Sequence, residues 1–264
     1  MAEGHSSARW ARMISRLVGA PLVRAEIARV DPARVATLTG ASITRVQPRG
    51  KHLLVGFSNH MTLHTHALMS GKWHVTGPAG PTPEMLAEAD VRLVTSQREA
   101  LFTNGPVIEL LTQDELATHA RLNALGPDVL DPLFDRDAGF ARLRHVGARE
   151  IGDALLDQTL ICGVGNKFKI EALFVARLDP RKPVGLMSES ETRRMWDALL
   201  PMMRSIASAS SGFTTLPRDL AVNGERHWVY ARTGKPCFVC RTSIITYRHG
   251  RPPRITFACP ECQK

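Results

Sequence analysis

The sequence Cys237-Phe-Val-Cys240 is followed, after eighteen intervening residues, by Cys259-Pro-Glu-Cys262. Two such pairs, each on a tight turn, can place four thiolates at the corners of a tetrahedron. This is the geometry of a structural zinc site that leaves no position open for catalysis. Two disulfide bonds are the alternative, but the N-terminus lacks the basic and apolar pattern of a secretory signal, which favours zinc. The spacing therefore predicts one structural zinc ion bound by these four cysteines.

The residues between the two cysteine pairs predict a β-hairpin. Residues 244–247 and 255–258 are rich in β-formers, and a turn that contains glycine and two prolines joins them. The hairpin is strongly basic, with arginines at Arg241, Arg248, Arg251 and Arg254. A small metal-held hairpin with several guanidinium groups is suited to contacts with phosphate, although a structural ribbon with a solvated rim would have the same composition.

The overall charge indicates a polyanionic partner. The chain has 264 residues, a formal net charge of +9 and an isoelectric point near 9.8. Such a charge favours nucleic acid first and an anionic membrane surface second. No apolar run approaches the ~18 residues of a membrane-spanning helix, so we expect no membrane association. We expect a monomer that works in the cytoplasm, associated with the nucleoid.

The first part of the chain predicts a helix followed by a β-sandwich. Between residues 22 and 111, eight short runs of β-formers are separated by turn residues, a density typical of a sandwich or flattened barrel. The Gly- and Pro-rich stretch 77–84 is expected to be a surface loop. Residues 6–17 predict the leading helix, whose buried stripe would consist of Trp10, Met13, Ile14 and Leu17.

The second part of the chain has a helical pattern. Helices are expected at 151–161 and 167–177. A third helix is expected to open at the capping box that Ser188 and Glu191 form, and to bend at Pro201. The predicted fold class is therefore α+β. The predicted domains are a β-sandwich at 1–118, a linker at 119–135, a helical domain at 136–222 and a zinc finger at 223–264.

A glycine turn before the second of these helices predicts an anion site. Gly163-Val-Gly-Asn166 leads into the helix, where free backbone N–H groups at the positive helix end favour a phosphodiester. Asn166 adds a side-chain donor, and Lys167 and Lys169 add positive charge. The pattern is weak by itself, because most glycine turns between helices are only tight connections.

Three features of the first part are further candidates for a site. Lys51 follows Arg49-Gly50 at a turn into a strand, where it could reach a ligand, although an exposed hairpin lysine is the simpler interpretation. His64 and His66 share one strand face, but the sequence shows no third ligand for a metal. Met69 lies in a loop, and an exposed apolar tip on a basic protein could wedge into a base stack, whereas a buried methionine is the alternative.

Taken in order, these stretches resemble the bacterial formamidopyrimidine-DNA glycosylase/endonuclease VIII family of base-excision repair enzymes, over nearly the whole chain. The opening Glu3-Gly4 is similar to the endonuclease VIII branch, which favours oxidised pyrimidines. The other stretches that carry the resemblance are Arg49-Gly-Lys51-His52, His66-Ala-Leu-Met69-Ser-Gly, Leu155-Leu-Asp-Gln158, Gly163-Val-Gly-Asn166-Lys-Phe-Lys-Ile-Glu171 and Arg254-Ile-Thr-Phe-Ala-Cys259.

The resemblance implies a helix-two-turn-helix domain and a bifunctional DNA glycosylase and abasic-site (AP) lyase. In the family, removal of the initiator methionine frees a terminal residue that attacks C1′ of the damaged nucleotide. A Schiff base forms, the base leaves, and elimination cuts the strand. By position, Ala2 would be the nucleophile, Glu3 the acid/base and Lys51 a third catalytic residue.

The resemblance also implies the partner, which is double-stranded DNA that contains damaged bases or abasic sites. Met69 would fill the space that the flipped nucleotide vacates. The remaining DNA contacts would come from His66, Asn166, Lys167 and Arg254.

Ala2 stands where the family has proline, and this departure bears on catalysis. Alanine is small, so removal of Met1 is still expected. It would leave a primary amine with an ordinary pKa of about 7.7–8.0, which can also form an imine. One alternative is a family member that binds damaged DNA without cutting it. Others are a monofunctional glycosylase that uses a water held by Glu3, or one specialised for an unusual bulky adduct, and a generic RNA-binding zinc ribbon. Glu3 could instead be an exposed terminal acid or the N-cap of the first helix.

Overall fold

The computed structural model describes residues 2–209, 213–221 and 224–264. The chain divides into two compact units, which meet in the sequence between Ala124 and Leu125. The domain boundaries predicted after residues 118, 135 and 222 remain predictions. The predicted removal of Met1 and the boundary between residues 222 and 223 lie outside the described residues. Within the described ranges, no helix is both long and apolar enough to cross a membrane.

Two four-stranded antiparallel sheets form the first unit. Their strands are β1 (Arg24–Ile27), β2 (Ile43–Arg49), β3 (His52–Phe57), β4 (Thr62–His66), β5 (Lys72–Thr76), β6 (Ala89–Val94), β7 (Glu99–Thr103) and β8 (Val107–Leu111). One sheet has the order β1-β6-β7-β5 and the other the order β2-β3-β4-β8. Side chains from both sheets, such as Phe102 and Leu63, share a single core. The predicted sandwich and its eight strands are confirmed.

Helix α1 (Gly4–Ile14) leads the first unit, but its buried face differs from the predicted stripe. Ser7, Ala11 and Ile14 are buried, whereas Trp10 is only half-buried. Ser7 and Ala11 are small, so this face of the helix can pack closely, whereas the Trp10 indole packs only partly against the core. A short 3-10 helix, Ser15–Leu17, completes the segment.

Four short helices of the first unit had no counterpart in the prediction. They are α2 (Pro32–Ala36), α3 (Pro83–Ala87), α4 (Gln113–Ala117) and α5 (Ala120–Asn123). Helix α3 begins inside the stretch predicted as a surface loop, because Thr82 accepts the Met85 N–H and a proline stands in the first turn. Single-turn helices are too short to show a recognisable apolar period.

Four helices form the body of the second unit. They are α6 (Arg136–Arg144), α7 (Ile151–Ala154), α8 (Asn166–Val175) and α9 (Glu189–Ser208). The capping box of Ser188 and Glu191 is confirmed, and α9 continues through Pro201 to Ser208. Cys162 is buried in this unit, as predicted for a small core residue.

The predicted helix at 151–161 is wrong, since α7 ends at Ala154. The side chains that follow α7 form hydrogen bonds with backbone groups that would otherwise bond within a helix. Asp157 accepts hydrogen bonds from the backbone N–H and the hydroxyl of Thr159, and the Gln158 amide bonds the Gly163 N–H and the Val164 carbonyl. Such local side-chain bonds compete with helix formation. The segment therefore turns twice between α7 and α8.

The predicted hairpin is confirmed at the C-terminal end of the second unit. Strands β9 (Ile245–His249) and β10 (Arg254–Ala258) pair in antiparallel register. A small apolar cluster, which includes Ile170 and Phe174 of α8, holds the segment that bears the cysteines.

Candidate functional site

The N-terminal residues lie against the loop between β4 and β5. The Ala2 backbone nitrogen donates a hydrogen bond to the carbonyl oxygen of Leu68 across 3.3 Å. Glu3 is fully buried, and its side chain does not cap α1, although it occupies the N-cap position. Both alternative interpretations of Glu3, the exposed acid and the side-chain cap, are therefore wrong. A buried carboxylate next to the chain terminus needs another role.

A cavity of about 330 Å³ opens beside Ala2. A larger cavity, of about 700 Å³, does not include Ala2 among its lining residues. Met69 at the rim of the cavity beside Ala2 is 64% exposed, which confirms the predicted apolar loop tip and excludes a buried methionine. The loop is tight at Gly71, where a side-chain Cβ would lie 2.8 Å from the Cα of Ala67. The lining residues are Ala2, Ser6, Arg9, Trp10, Met13, Met69, Ser70, Gly71 and Lys72.

Lys51 and His66 lie near each other at the ends of neighbouring strands. Gly50, with φ of +58°, makes the tight turn that carries Lys51 between β2 and β3. His66 pairs with His52 across the β3–β4 ladder. Burial, together with the nearby charge of Lys51, lowers the pKa of His66 to about 4. The His66 ring is therefore neutral at physiological pH, and its Nδ1 accepts the Leu68 N–H across 3.1 Å.

A layer of imidazoles and one carboxylate, which we call the histidine layer, covers the outer face of the β3–β4–β8 region. His52 Nδ1 and His64 Nε2 are 2.7 Å apart, His64 Nδ1 lies 2.7 Å from Glu109, and His119 Nε2 lies 3.1 Å from the same carboxylate oxygen. Sequence reasoning did not find Glu109 or His119 as partners of His64. The signal that could have found Glu109 is the strand register, since it pairs with His64.

Three atoms of this layer, on His64, Glu109 and His119, lie within the distance range of metal ligands. Hydrogen bonding argues against a metal there. The Leu122 N–H donates to His119 Nδ1, so the neutral ring carries its proton on Nε2, the nitrogen that faces Glu109. That nitrogen has no lone pair to offer a cation. The layer is therefore best described as a hydrogen-bonded chain.

In the second unit, Asn166 begins α8 and is joined to the hairpin. Its side-chain amide donates to the carbonyl of Ile255 across 2.8 Å, which brings it next to Arg254 in β10. Lys167 lies over the rings of Phe213 and Tyr230, at 5.3 and 5.2 Å from their centres. The structure therefore groups three of the predicted DNA-binding residues around the start of α8.

Lys169 does not contribute charge to a surface, contrary to the prediction. It is fully buried, and its Nζ donates to the Thr256 hydroxyl across 2.8 Å. Because Thr256 belongs to β10, this bond places Lys169 on the side of α8 that packs against the hairpin. This lysine fastens the hairpin to the helix.

Glu171 is a buried carboxylate that sequence reasoning did not single out as functional. It accepts the backbone N–H groups of Trp228, Val229 and Tyr230 at 2.8–3.0 Å, and the hydroxyl of Thr215. Burial raises its pKa, and these four hydrogen bonds oppose that rise. Glu171 thus ties α8 to the segment that leads into the first cysteine pair.

The four paired cysteines form a cluster that fits one tetrahedral metal ion. Sγ separations are 3.9 Å between Cys237 and Cys262 and 3.4 Å between Cys240 and Cys259. Disulfide sulfurs would be about 2.05 Å apart, so the alternative of two disulfides does not hold. The Val239 N–H points at Cys237 Sγ across 3.4 Å, which supports a thiolate. Burial raises the pKa of Cys259 and Cys262, so a cation is needed to keep all four sulfurs ionised together.

Comparisons with known proteins agree with this arrangement. Residues 1–106 match the formamidopyrimidine-DNA glycosylase N-terminal domain, and residues 125–216 match the formamidopyrimidine-DNA glycosylase H2TH domain. A probable endonuclease 8 of Streptomyces coelicolor is 32% identical over 96% of this chain and 90% of its own length. Endonuclease 8 of Salmonella arizonae is 34% identical over 86% of this chain and 85% of its own.

The chain belongs to the formamidopyrimidine-DNA glycosylase/endonuclease VIII family, on the endonuclease VIII-like branch. Membership places it among the DNA-binding glycosylases of base-excision repair. The fold agrees with solved structures of the family. Lactococcus lactis Fpg in complex with DNA that contains N7-benzyl-Fapy-dG superposes with a TM-score of 0.80, at 21% identity and 99% coverage of both chains. The same enzyme with abasic-site DNA gives 0.78 at 22% identity and the same coverage.

Proposed function

We propose that the protein is a bifunctional DNA glycosylase and AP lyase that acts on damaged double-stranded DNA, with oxidised pyrimidines as the favoured lesions. The nucleophile is the α-amine of Ala2 after removal of Met1. The observation that carries this proposal is the position of the Ala2 nitrogen, which lies 3.3 Å from the Leu68 carbonyl, at the rim of a cavity and beside buried Glu3.

The chemistry follows from these groups. The neutral amine attacks C1′, a C–N bond forms, and the glycosidic bond breaks; the base leaves as its anion and takes up the proton that the new ammonium loses. Glu3 gives a proton to the sugar ring oxygen, which opens the ring and leaves a protonated imine. Glu3, now a carboxylate, takes a proton from C2′, and the 3′ phosphate leaves. Lys51, close to His66, adds positive charge where the phosphates of the flipped nucleotide would lie.

The second unit would hold the DNA backbone. Asn166, Lys167 and Arg254 offer an amide, an ammonium and a guanidinium around the start of α8, and Met69 of the first unit would fill the space left in the base stack. We also infer that the four cysteines hold one structural zinc ion, since their spacing and Sγ separations suit it. We further propose a monomer in the cytoplasm, and the net charge of +9 suits its association with the polyanionic nucleoid.

Borohydride trapping tests the proposal. A duplex with one abasic site or one 5-hydroxyuracil should give a covalent adduct whose mass maps to an N-terminal Ala2 peptide. Glu3→Gln should reduce the adduct without weakening binding to the duplex. Tight, salt-dependent binding with no adduct and no cleavage would identify a non-catalytic binder of damaged DNA. Release of free base from an uncut strand would identify a monofunctional glycosylase.

A further inference from the structure

Two hydrogen bonds connect the proposed nucleophile to a histidine ring. The Ala2 N–H donates to the Leu68 carbonyl across 3.3 Å, and the Leu68 N–H donates to His66 Nδ1 across 3.1 Å. Leu68 has a φ of +44°, a left-handed conformation that a leucine adopts only when its surroundings hold it there. The bond from Leu68 to His66 is one such restraint. The ring of His66 therefore sets the direction of the carbonyl that faces Ala2.

This carbonyl matters because Ala2 replaces a proline. An imine formed by proline has no N–H and is positively charged by construction. An imine formed by a primary amine is neutral until it binds a proton, and only the protonated imine withdraws electrons strongly enough for elimination. A hydrogen-bond acceptor held at the nitrogen favours the protonated form. The family's proline would have no use for such an acceptor at this step, whereas Ala2 does.

We propose that the Leu68 carbonyl holds the N–H of the protonated imine formed by Ala2, and that His66 is a positioning residue that aims this carbonyl. The inference rests on the proposed function and deepens it, because it explains how a primary amine can replace the proline.

The step balances without any further reagent. The Ala2 amine adds to C1′ of the open-chain abasic sugar, and water leaves with a proton from Glu3, which gives the imine. The N–H that remains on the imine donates a hydrogen bond to the Leu68 carbonyl. Glu3, now a carboxylate, takes a proton from C2′. The electron pair of that C–H bond, which the protonated imine at C1′ stabilises, forms the C2′–C3′ double bond, and the C3′–O bond to the phosphate breaks. Hydrolysis then returns the neutral amine.

His66 can do this only while its Nδ1 has a lone pair, and its surroundings keep the ring neutral. The charged groups near it are Lys51 and Arg121, and the other titratable groups are His52 and His64, which form part of the histidine layer. Both of those rings are uncharged as well. His64 donates from Nδ1 to Glu109 and accepts at Nε2 from His52 Nδ1, so each ring has one proton and a fixed tautomer.

Four proteins test the proposal: wild type, His66→Leu, Ala2→Pro and the double variant. The measured quantity is the single-turnover rate at which an abasic duplex is cleaved, with duplex affinity measured separately on a tetrahydrofuran abasic analogue that cannot react. We expect H66L to slow cleavage about tenfold when Ala2 is present and less than about twofold in the Ala2→Pro background. If His66 also contacts DNA directly, H66L lowers the duplex affinity equally with Ala2 and with Ala2→Pro. That effect therefore cancels when the rate losses in the two backgrounds are compared.

His66→Asn is the matched rescue, since the asparagine Oδ1 occupies the place of Nδ1 and can accept the Leu68 N–H. It should recover most of the rate lost in H66L, with parallel recovery of the hydrogen-exchange protection of the Leu68 amide. His66→Gln places its amide where Nε2 lies, so it should not recover the rate. It also provides a polar comparison if H66L fails to fold. Equal losses in the two backgrounds, or H66N as slow as H66L, would overturn the proposal. A wild type that never forms an adduct would instead overturn the proposed function.

Discussion

The side-chain amide of Asn166 and the carbonyl oxygen of Ile255 are 2.8 Å apart, and this hydrogen bond joins the first residue of α8 to the hairpin. Because an amide NH₂ group has two hydrogens, the bond to Ile255 leaves the second hydrogen in a fixed direction. The bond also sets the position of Arg254, the preceding residue of β10. One side chain therefore organises two of the groups proposed to bind phosphate.

Asn166→Ala should weaken binding to a duplex with a tetrahydrofuran abasic analogue about tenfold, because it removes a donor and loosens β10 at the same point. Asn166→Asp should be worse, since a carboxylate would face both the Ile255 carbonyl and the DNA phosphates. Fluorescence anisotropy at fixed salt measures both. Asn123→Ala, at an exposed position in the first unit, is the control and should bind like wild type. Unchanged affinity in N166A would remove Asn166 from the DNA-binding site.

Glu171→Gln should destabilise the second unit by about 2–3 kcal/mol, because one amide hydrogen would then face the N–H donors that the carboxylate now accepts. The expected result is a lower melting temperature and early loss of protection at the Val229 and Tyr230 amides. Glu189→Gln, an exposed acid in the first turn of α9, should cost less than about 1 kcal/mol. Similar melting temperatures for the two variants would contradict the anchoring role of Glu171.

The parts of this fold that the sequence predicted are those in which neighbours in the chain decide the structure. The two cysteine pairs between Cys237 and Cys262, the runs of β-formers and the Ser188 capping sequence are local patterns. The cysteine cluster, the strands and the capping box that they predict are all confirmed. The end of α7 was missed because Asp157 and Gln158 compete for backbone groups, which an apolar period does not reveal.

The histidine layer shows a second reason for a missed prediction. Glu109 lies 45 residues from His64 in the chain and His119 lies 10 residues beyond Glu109, and only sheet register and a one-turn helix bring them together. Lys169 looked like surface charge in the sequence, yet the packing of α8 on β10 buries it. Partners that tertiary packing selects carry no local sequence signal.

The histidine layer and the neighbouring His66 should make the first unit sensitive to acid. Burial lowers the pKa of His52 to about 2 and that of His66 to about 4, from an ordinary value of 6.5. Below about pH 6.5 the unfolded chain therefore binds protons that the folded state does not, and stability falls as the pH drops from there toward about 4. At about pH 5 the buried His52 should cost on the order of 2 kcal/mol, and the more exposed His66 should cost less because solvent screens it.

Urea unfolding at about pH 7.5 and about pH 5 measures this loss. His52→Asn should flatten the pH dependence, because it removes the most strongly shifted group. His145→Gln changes a histidine of the second unit that lies outside the layer and should leave the dependence as it is in wild type. A stability that does not change between the two pH values would mean that the layer is already protonated in the folded protein.

Metal analysis should find one zinc ion per chain. The four paired cysteines should hold it, and Cys162 should not be needed. Cys259→Ser should lower zinc content, because a hydroxyl does not ionise to replace a buried thiolate, and should release the hairpin from α8, where Ile170 and Phe174 now pack against it. Cys162→Ser is the matched control. It places a hydroxyl in a fully buried site and should lower the melting temperature, yet keep the zinc.

A C162S protein that loses its metal, or a C259S protein that keeps a full equivalent of zinc, would contradict the four-cysteine site. Chelation of the wild type should reproduce the C259S result, with weaker binding to DNA, since β10 carries Arg254.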